Sequence, residues 1–353
     1  MAPTAQRDTD KILAGFVEWL ADQDPGGAPE LVGYERPSVG FSSETILVDI
    51  RRAAPNGPHD ERLVLKLPPA DVGIFPSYDF YLQARVQHAV ADAGIPAPVP
   101  ARVEDDTRWV GTPFLVMPAI AGHIISEMPV RDHWLTKVDP DLNATAYGHY
   151  IDVIADINRV DWGSAALADV VPVRDNLAEI AYWRAYLEWC ANGVVLVPAL
   201  VEALDWCEER RPATEPQPTL QWGDVRLGNV IFDETRAPVA VLDWEMATIG
   251  AAEHDLAWTL TLESIQGELF GRTVPGFLDH DAAVARFEAR LGRPVHDLDW
   301  YEILAIVRST AIMTRVAHLH ALAGQPEIFP IVDNPILGIL QRRIAEAAGS
   351  RTP

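Results

Sequence analysis

Up to about residue 118 the apolar residues of this chain fall in short runs separated by turn formers, and beyond about residue 120 they recur at the spacing of a helix face. The switch predicts a small antiparallel sheet carrying a helix, followed by a mainly helical body. In the first part, residues 11–24 set Ile12, Leu13, Phe16, Val17 and Leu20 on one helical stripe. Strand-like runs follow at LVGYERP, at 45–52 and at 61–69, the last two split by the breaker-rich AAPNGPHD. A helix is predicted over 78–93, stopped by Gly94-Ile95-Pro96, then a strand and turn around 101–106 and the apolar strand TPFLVMP over 112–118. In the second part, helices are predicted at 142–160, 175–192, 196–211 (through Leu196, Leu200 and Leu204), 253–265, 280–291, 298–322 and 335–348. The Pro-rich RPATEPQP reads as a surface loop, and no internal repeat is visible. The predicted organisation is an N-terminal lobe over 1–118 and a C-terminal lobe over 119–353, with a helical insert at about 123–215.

One segment interrupts the helices. Between 218 and 244, Val230-Ile231-Phe232 and Val239-Ala240-Val241-Leu242 are short strands joined by DETRAP, a connection of hairpin length. A tight hairpin brings the residue before its first strand close to the residue after its second, so Asn229 comes near Asp243, and Asp224 lies on the loop leading in. A carboxylate with an amide oxygen is a hard-oxygen pair suited to Mg²⁺, which leaves the rest of its shell to phosphates and water. A second carboxylate nearby can take a proton from an attacking hydroxyl. Asp and Asn also favour ordinary turns, and D-x4-N alone is a weak signal.

The net charge of −23 argues against nucleic acid and against an anionic membrane surface, and it suits neutral or cationic small molecules. Cys190 and Cys207 have no paired spacing, no apolar run approaches 18 residues, and no signal-peptide pattern opens the chain. These features predict a soluble, cytoplasmic protein with no evident protein partner. His123, His133, His149, His254, His318 and His320 lack metal-binding spacing and read as structural or solvent-facing.

The motifs WGDVRLGNVIFD, VAVLDWEMATIG and HDLAW together resemble the aminoglycoside phosphotransferase superfamily, in particular the subgroup with HGDFRLGN and LDWE that includes kinase-like domains fused to acyl-CoA dehydrogenases. GFSSET, AGIPAP and TPFLVMPAIAG occur in the matching order, so the resemblance spans nearly the whole chain. It implies an α+β, two-lobed protein-kinase-like fold with ATP in the cleft, and transfer of the γ-phosphoryl group to a small-molecule hydroxyl with ATP and Mg²⁺. Carried over by position, Asp224 is the catalytic base, Asn229 and Asp243 are the Mg²⁺ ligands, and Asp255 holds the catalytic loop. Trp222 stands where the family usually has His, which puts the rigidity of that loop in question.

For the nucleotide, Lys66 shares one face of its strand with Val64 and Pro68, as a lysine pointing into a cleft would, and the resemblance gives it the phosphates. The helix position that usually pairs with such a lysine is Gln83, whose amide oxygen can still accept a hydrogen bond. The Ser38–Thr45 loop would cover the phosphates through Ser42 and Ser43, and Met117 and Ala119 lie at the hinge that receives adenine. For the acceptor, the helix carrying Asp175, Glu179, Trp183, Tyr186 and Glu188 offers a mixed polar and aromatic wall, with Glu179 and Trp183 as the named candidates. The acceptor could be an aminoglycoside, a hydroxyacyl thioester, an amino alcohol or another hydroxyl compound. The competing reading is a weak or inactive nucleotide-binding pseudokinase module, favoured by Trp222, Gln83 and a loop with a single glycine.

Overall fold

The computed structural model describes residues 7–37, 42–191, 197–322, 324, 330 and 334–349. Helix α1 (Thr9–Gln23) opens at Asp8, whose carboxylate accepts the Asp10 and Lys11 amides that lack partners within the helix. Strands β1 (Glu30–Glu35), β2 (Glu44–Arg52) and β3 (His59–Leu67) follow as an antiparallel meander. Helix α2 (Phe80–Asp92) then leads to β4 (Arg102–Glu104) and β5 (Phe114–Pro118). The five strands form one sheet in the order β1-β2-β3-β5-β4. Its one face buries Ile46, Val48, Leu63, Leu65 and Phe114 against Ile12, Phe16 and Leu20 of α1.

After Pro118 the chain becomes helical. The C-terminal lobe contains β6 (His123–Ile124), the single-turn α3 (His133–Thr136), α4 (Pro140–Asn158), α5 (Asn176–Cys190) and α6 (Pro198–Glu209). Next come β7 (Thr219–Gln221), β8 (Val230–Phe232), β9 (Pro238–Val241) and β10 (Thr248–Gly250), then α7 (Glu253–Phe270), α8 (His280–Leu291), α9 (Leu298–Leu322) and α10 (Pro335–Gly349). A second hydrophobic core, built on α4, α5, α7 and α9, holds this lobe together and reaches up to Leu82, Val86 and Val90 of α2. The chain thus has the two-lobed α+β architecture that its hydrophobic periods predict.

The elements differ from the sequence reading in three places. Helix α7 runs on to Phe270, where Gly271 at φ +65° ends it, because Leu262, Ile265 and Leu269 keep facing the core. The pairs β6 with β8 and β7 with β10 join segments far apart in sequence, and α3 is a single turn, so none of them has a local signature. The predicted helix ends at Asn192 and Leu196 lie outside the described residues. Among the described residues no helix is long and apolar enough to cross a membrane, and Cys190 and Cys207 are both free and buried.

Candidate active site

The hairpin β8–β9 pairs Val230 with Val241, and one step outward the Leu242 amide donates to the Asn229 carbonyl at 2.8 Å. Asn229 and Asp243 therefore sit at the open end of the hairpin, as its length requires. Asp243 takes φ +62°, a left-handed conformation that Asp tolerates better than most residues. Asp224 precedes the hairpin in a loop anchored at both ends. The side-chain amide of Asn229 donates to the Asp224 carbonyl at 3.0 Å and to Asp224 Oδ2 at 2.8 Å. Arg226 Nε donates to the same Oδ2, also at 2.8 Å. Oδ2 thus accepts two hydrogen bonds from side chains.

Because the Asn229 amide nitrogen is turned onto Asp224, its oxygen points the other way. With the Asp243 carboxylate it could supply the two hard oxygen donors that Mg²⁺ takes. Among the described residues no three His, Cys, Asp or Glu side chains converge as a metal site.

Lys66 reaches Asp243 from β3. It is 8 % exposed, and its Nζ lies 3.1 Å from Asp243 Oδ1 and donates to Gln83 Oε1 at 3.4 Å. Burial works against the charge, but Asp243 and Glu245 outweigh it and the lysine pKa is raised. The amine therefore stays an ammonium, the form needed to hold phosphates.

Trp222 is wholly buried and ties the site together. Its backbone amide donates to Asp255 Oδ2 at 2.8 Å, and its indole Nε1 donates to the carbonyls of Leu242 at 2.9 Å and Asp243 at 3.3 Å. Asp255 also accepts from the Gly223 amide at 3.0 Å and from Asn158 at 2.9 Å. The loop carrying Asp224 and the segment carrying Asp243 are thus held by one indole and one carboxylate, and the loop does not lack an anchor for want of a histidine. Gly223 permits this closeness: at φ +91°, a Cβ there would lie 2.2 Å from the Met246 carbonyl.

Other predicted residues fall as follows. Ser42 is buried near the Glu245 carboxyl, and Ser43 beside it is half-buried. The Ser38–Phe41 part of that loop lies outside the described residues. Met117 packs with Phe80, Ala84 and Leu115, and the Ala119 amide is already spent on the Arg62 carbonyl at 2.9 Å, so any hydrogen bond from that amide to adenine is excluded.

Glu179 and Trp183 do not line a cleft. They are 4 % and 1 % exposed, Trp183 Nε1 donates to Glu179 Oε1 at 2.7 Å, and Glu179 pairs with Arg174 at 3.2 Å and Arg308 at 3.6 Å. Although burial opposes the charge, Arg308, His254 and Arg174 bring the Glu179 carboxyl down to about 2. The acceptor wall predicted there is instead a buried ion cluster behind Asp255.

Two residues quoted within the sequence motifs turn out to belong to the site. Arg226 bridges Asp224 and Glu127. Glu245 lies beside Asp243 and Lys66, and burial followed by the Asp243 charge raises its carboxyl to about 8. The motif spacing marked both positions, but only the fold shows which charges they face.

A model described as "Phosphotransferase enzyme family" matches residues 33–298 of this chain. Acyl-CoA dehydrogenase family member 10 of Mus musculus is 28 % identical over 202 residues, covering 57 % of this chain and only 18 % of that protein. Among solved structures, a candidate aminoglycoside phosphotransferase of Ralstonia eutropha JMP134 superposes with a TM-score of 0.72 at 21 % identity, covering 96 % of this chain and 98 % of its own. A thermostable mutant of aminoglycoside phosphotransferase APH(4)-Ia, solved with AMP-PNP and hygromycin B, gives a TM-score of 0.60 at 14 % identity, covering 95 % and 99 %. At those identities the structures share the fold.

Proposed function

The chain belongs to the phosphotransferase enzyme family, and on that premise we propose that it transfers the γ-phosphoryl group of ATP to a hydroxyl of a small molecule. The observation that carries this reading is the convergence of Lys66, Asp243, Asn229 and Asp224, with Lys66 Nζ 3.1 Å from Asp243 and the Asn229 amide turned onto Asp224. Lys66 would hold the phosphates, and Gln83 fixes the lysine. Mg²⁺ on Asp243 and the Asn229 oxygen would supply neutralisation of the phosphate charge. Asp224 would orient the acceptor hydroxyl at the oxygen that Arg226 and Asn229 leave open and receive its proton. The new bond joins the acceptor oxygen to the γ-phosphorus, the bond to the β–γ bridging oxygen breaks, and ADP leaves.

The named relative of Mus musculus points to acyl-CoA chemistry, and the solved complex contains hygromycin B. Both acceptor classes therefore enter one test: a screen with labelled ATP over hydroxyacyl-CoAs, aminoglycosides and amino alcohols. Label transferred to one class, and lost in Asp224→Asn, supports the reading. A magnesium-dependent thermal shift with ATP but no transfer to any hydroxyl compound would favour the nucleotide-binding module.

A further inference from the structure

The segment between β3 and α2 leaves the N-terminal lobe and packs into the other one. Ile74 and Phe75 are 6 % and 8 % exposed and belong to the core of the C-terminal lobe, with the Phe75 ring 6.2 Å from that of Tyr186. Two side chains fasten the backbone of the segment. Tyr186 Oη, on α5, donates to the Ile74 carbonyl at 2.7 Å, and Arg315 Nε, on α9, donates to the Gly73 carbonyl at 3.2 Å. Tyr186 and Arg315 are themselves buried. Inside the segment the Phe75 amide donates to Tyr78 Oη at 3.2 Å, and a Cβ on Gly73 would lie 2.1 Å from that oxygen. The turn is therefore built around the Tyr78 ring, which a Cβ on Gly73 would displace.

The two ends of this segment carry the nucleotide-facing side chains. β3 ends at Leu67, next to Lys66, and α2 begins at Phe80, one turn before Gln83, with Asp79 accepting the Leu82 amide at 2.9 Å. Helix α2 is held from both sides, Phe80 and Ala84 against the sheet and Leu82, Val86 and Val90 against the core of the C-terminal lobe. In a two-lobed fold the small lobe can swing as a body about the hinge. Here a second connection, away from the hinge at Pro118, ties it down.

We propose that residues 68–79 are an interlobe strap, and that Tyr186 and Arg315 are positioning residues that act through it to set the Lys66–Gln83 pair. The consequence for nucleotide rests on the proposed phosphate role of Lys66; the mooring itself does not.

The test uses the full chain. Tyr186→Phe keeps the ring and removes the donor, Arg315→Met keeps the stem and removes the charge, and Arg315→Lys keeps a donor. Amide hydrogen exchange without nucleotide is expected to quicken over 73–79 and in α2 in the first two variants, to stay unchanged in α5 and α9, and to be near wild type in Arg315→Lys. The Kd for Mg·ATP is expected to rise about three- to tenfold in Tyr186→Phe and Arg315→Met, the size of one lost hydrogen bond. That rise should vanish when Lys66 is already Ala. Unchanged exchange over 73–92 overturns the strap, and so does faster exchange spread evenly through α5 and α9. Local loosening with an unchanged Kd for Mg·ATP overturns the positioning role. If the wild-type chain binds no Mg·ATP, the proposed function fails, and the exchange result alone decides the strap.

Discussion

At the scale of single residues, Trp222 shows how a departure from a motif can be absorbed. The resemblance reads the position as a lost histidine and a looser loop, whereas the indole N–H reaches the Leu242 and Asp243 carbonyls and the backbone amide reaches Asp255. A substitution that changes the donor geometry should therefore be costly. Trp222→Phe leaves those carbonyls unpaired in a buried place, and is expected to destabilise the chain by about 2–4 kcal/mol from the lost hydrogen bonds and the smaller ring. Chemical denaturation reads that loss. On the proposed function, turnover should fall further than the loss of folded protein explains, since the segment carrying Asp243 is no longer tied to the loop carrying Asp224. The placement of Asp224, Asn229 and Asp243 at one end of the hairpin was legible in sequence because a hairpin is a local structure whose ends follow from its length. The partners of Arg226 and Glu245 were not, since Glu127 and Ser42 reach them from distant parts of the chain.

At the scale of elements, α5 shows why the acceptor wall was misread. Its aromatic and acidic residues look like a binding face in sequence, yet Glu179 is neutralised by Arg308 from α9 and Arg174 from the preceding loop, pairings no local pattern announces. Glu179→Ala would leave the Arg308 guanidinium buried without its carboxylate. It should cost about 3–5 kcal/mol of stability and lower the melting temperature, with no selective change in acceptor preference. Helix α7 supplies a pH signature. Burial raises the Glu263 carboxyl to about 8, despite the hydrogen bond from Tyr147. Its folded value lies above the ordinary one near 4.5, so between those limits the folded state holds a proton that the unfolded chain releases. This contribution is complete below pH 4.5 and is lost as pH rises through about 8. Glu263→Gln keeps a partner for Tyr147 without the titration, so its urea-unfolding free energy should fall less between pH 5 and pH 8 than that of the wild-type chain. An equal fall in both would assign the slope to other groups. Helix positions, by contrast, were legible in α8 and α9 to the residue, because a core-facing stripe is written in the sequence itself.

At the scale of the whole molecule, the change of period near residue 118 foretold a sheet-based part followed by a helical one. What the sequence could not convey is how the lobes are joined. Besides the chain's passage through Pro118, the 68–79 segment enters the core of the C-terminal lobe, and α2 packs on both lobes. Contacts of that kind depend on tertiary placement and leave no periodic trace. The four side chains Lys66, Asp224, Asn229 and Asp243 meet where the lobes adjoin, and the roles proposed for them separate cleanly in one experiment. Isothermal titration of Mg·ATP into the wild-type chain, Asp224→Asn and Asp243→Ala reads nucleotide binding apart from chemistry. The account predicts magnesium-dependent binding in the wild type, an affinity within about threefold of it in Asp224→Asn, and a loss of at least about tenfold in Asp243→Ala together with the magnesium dependence. Binding that is indifferent to Mg²⁺, or equal in Asp243→Ala and the wild type, would contradict it.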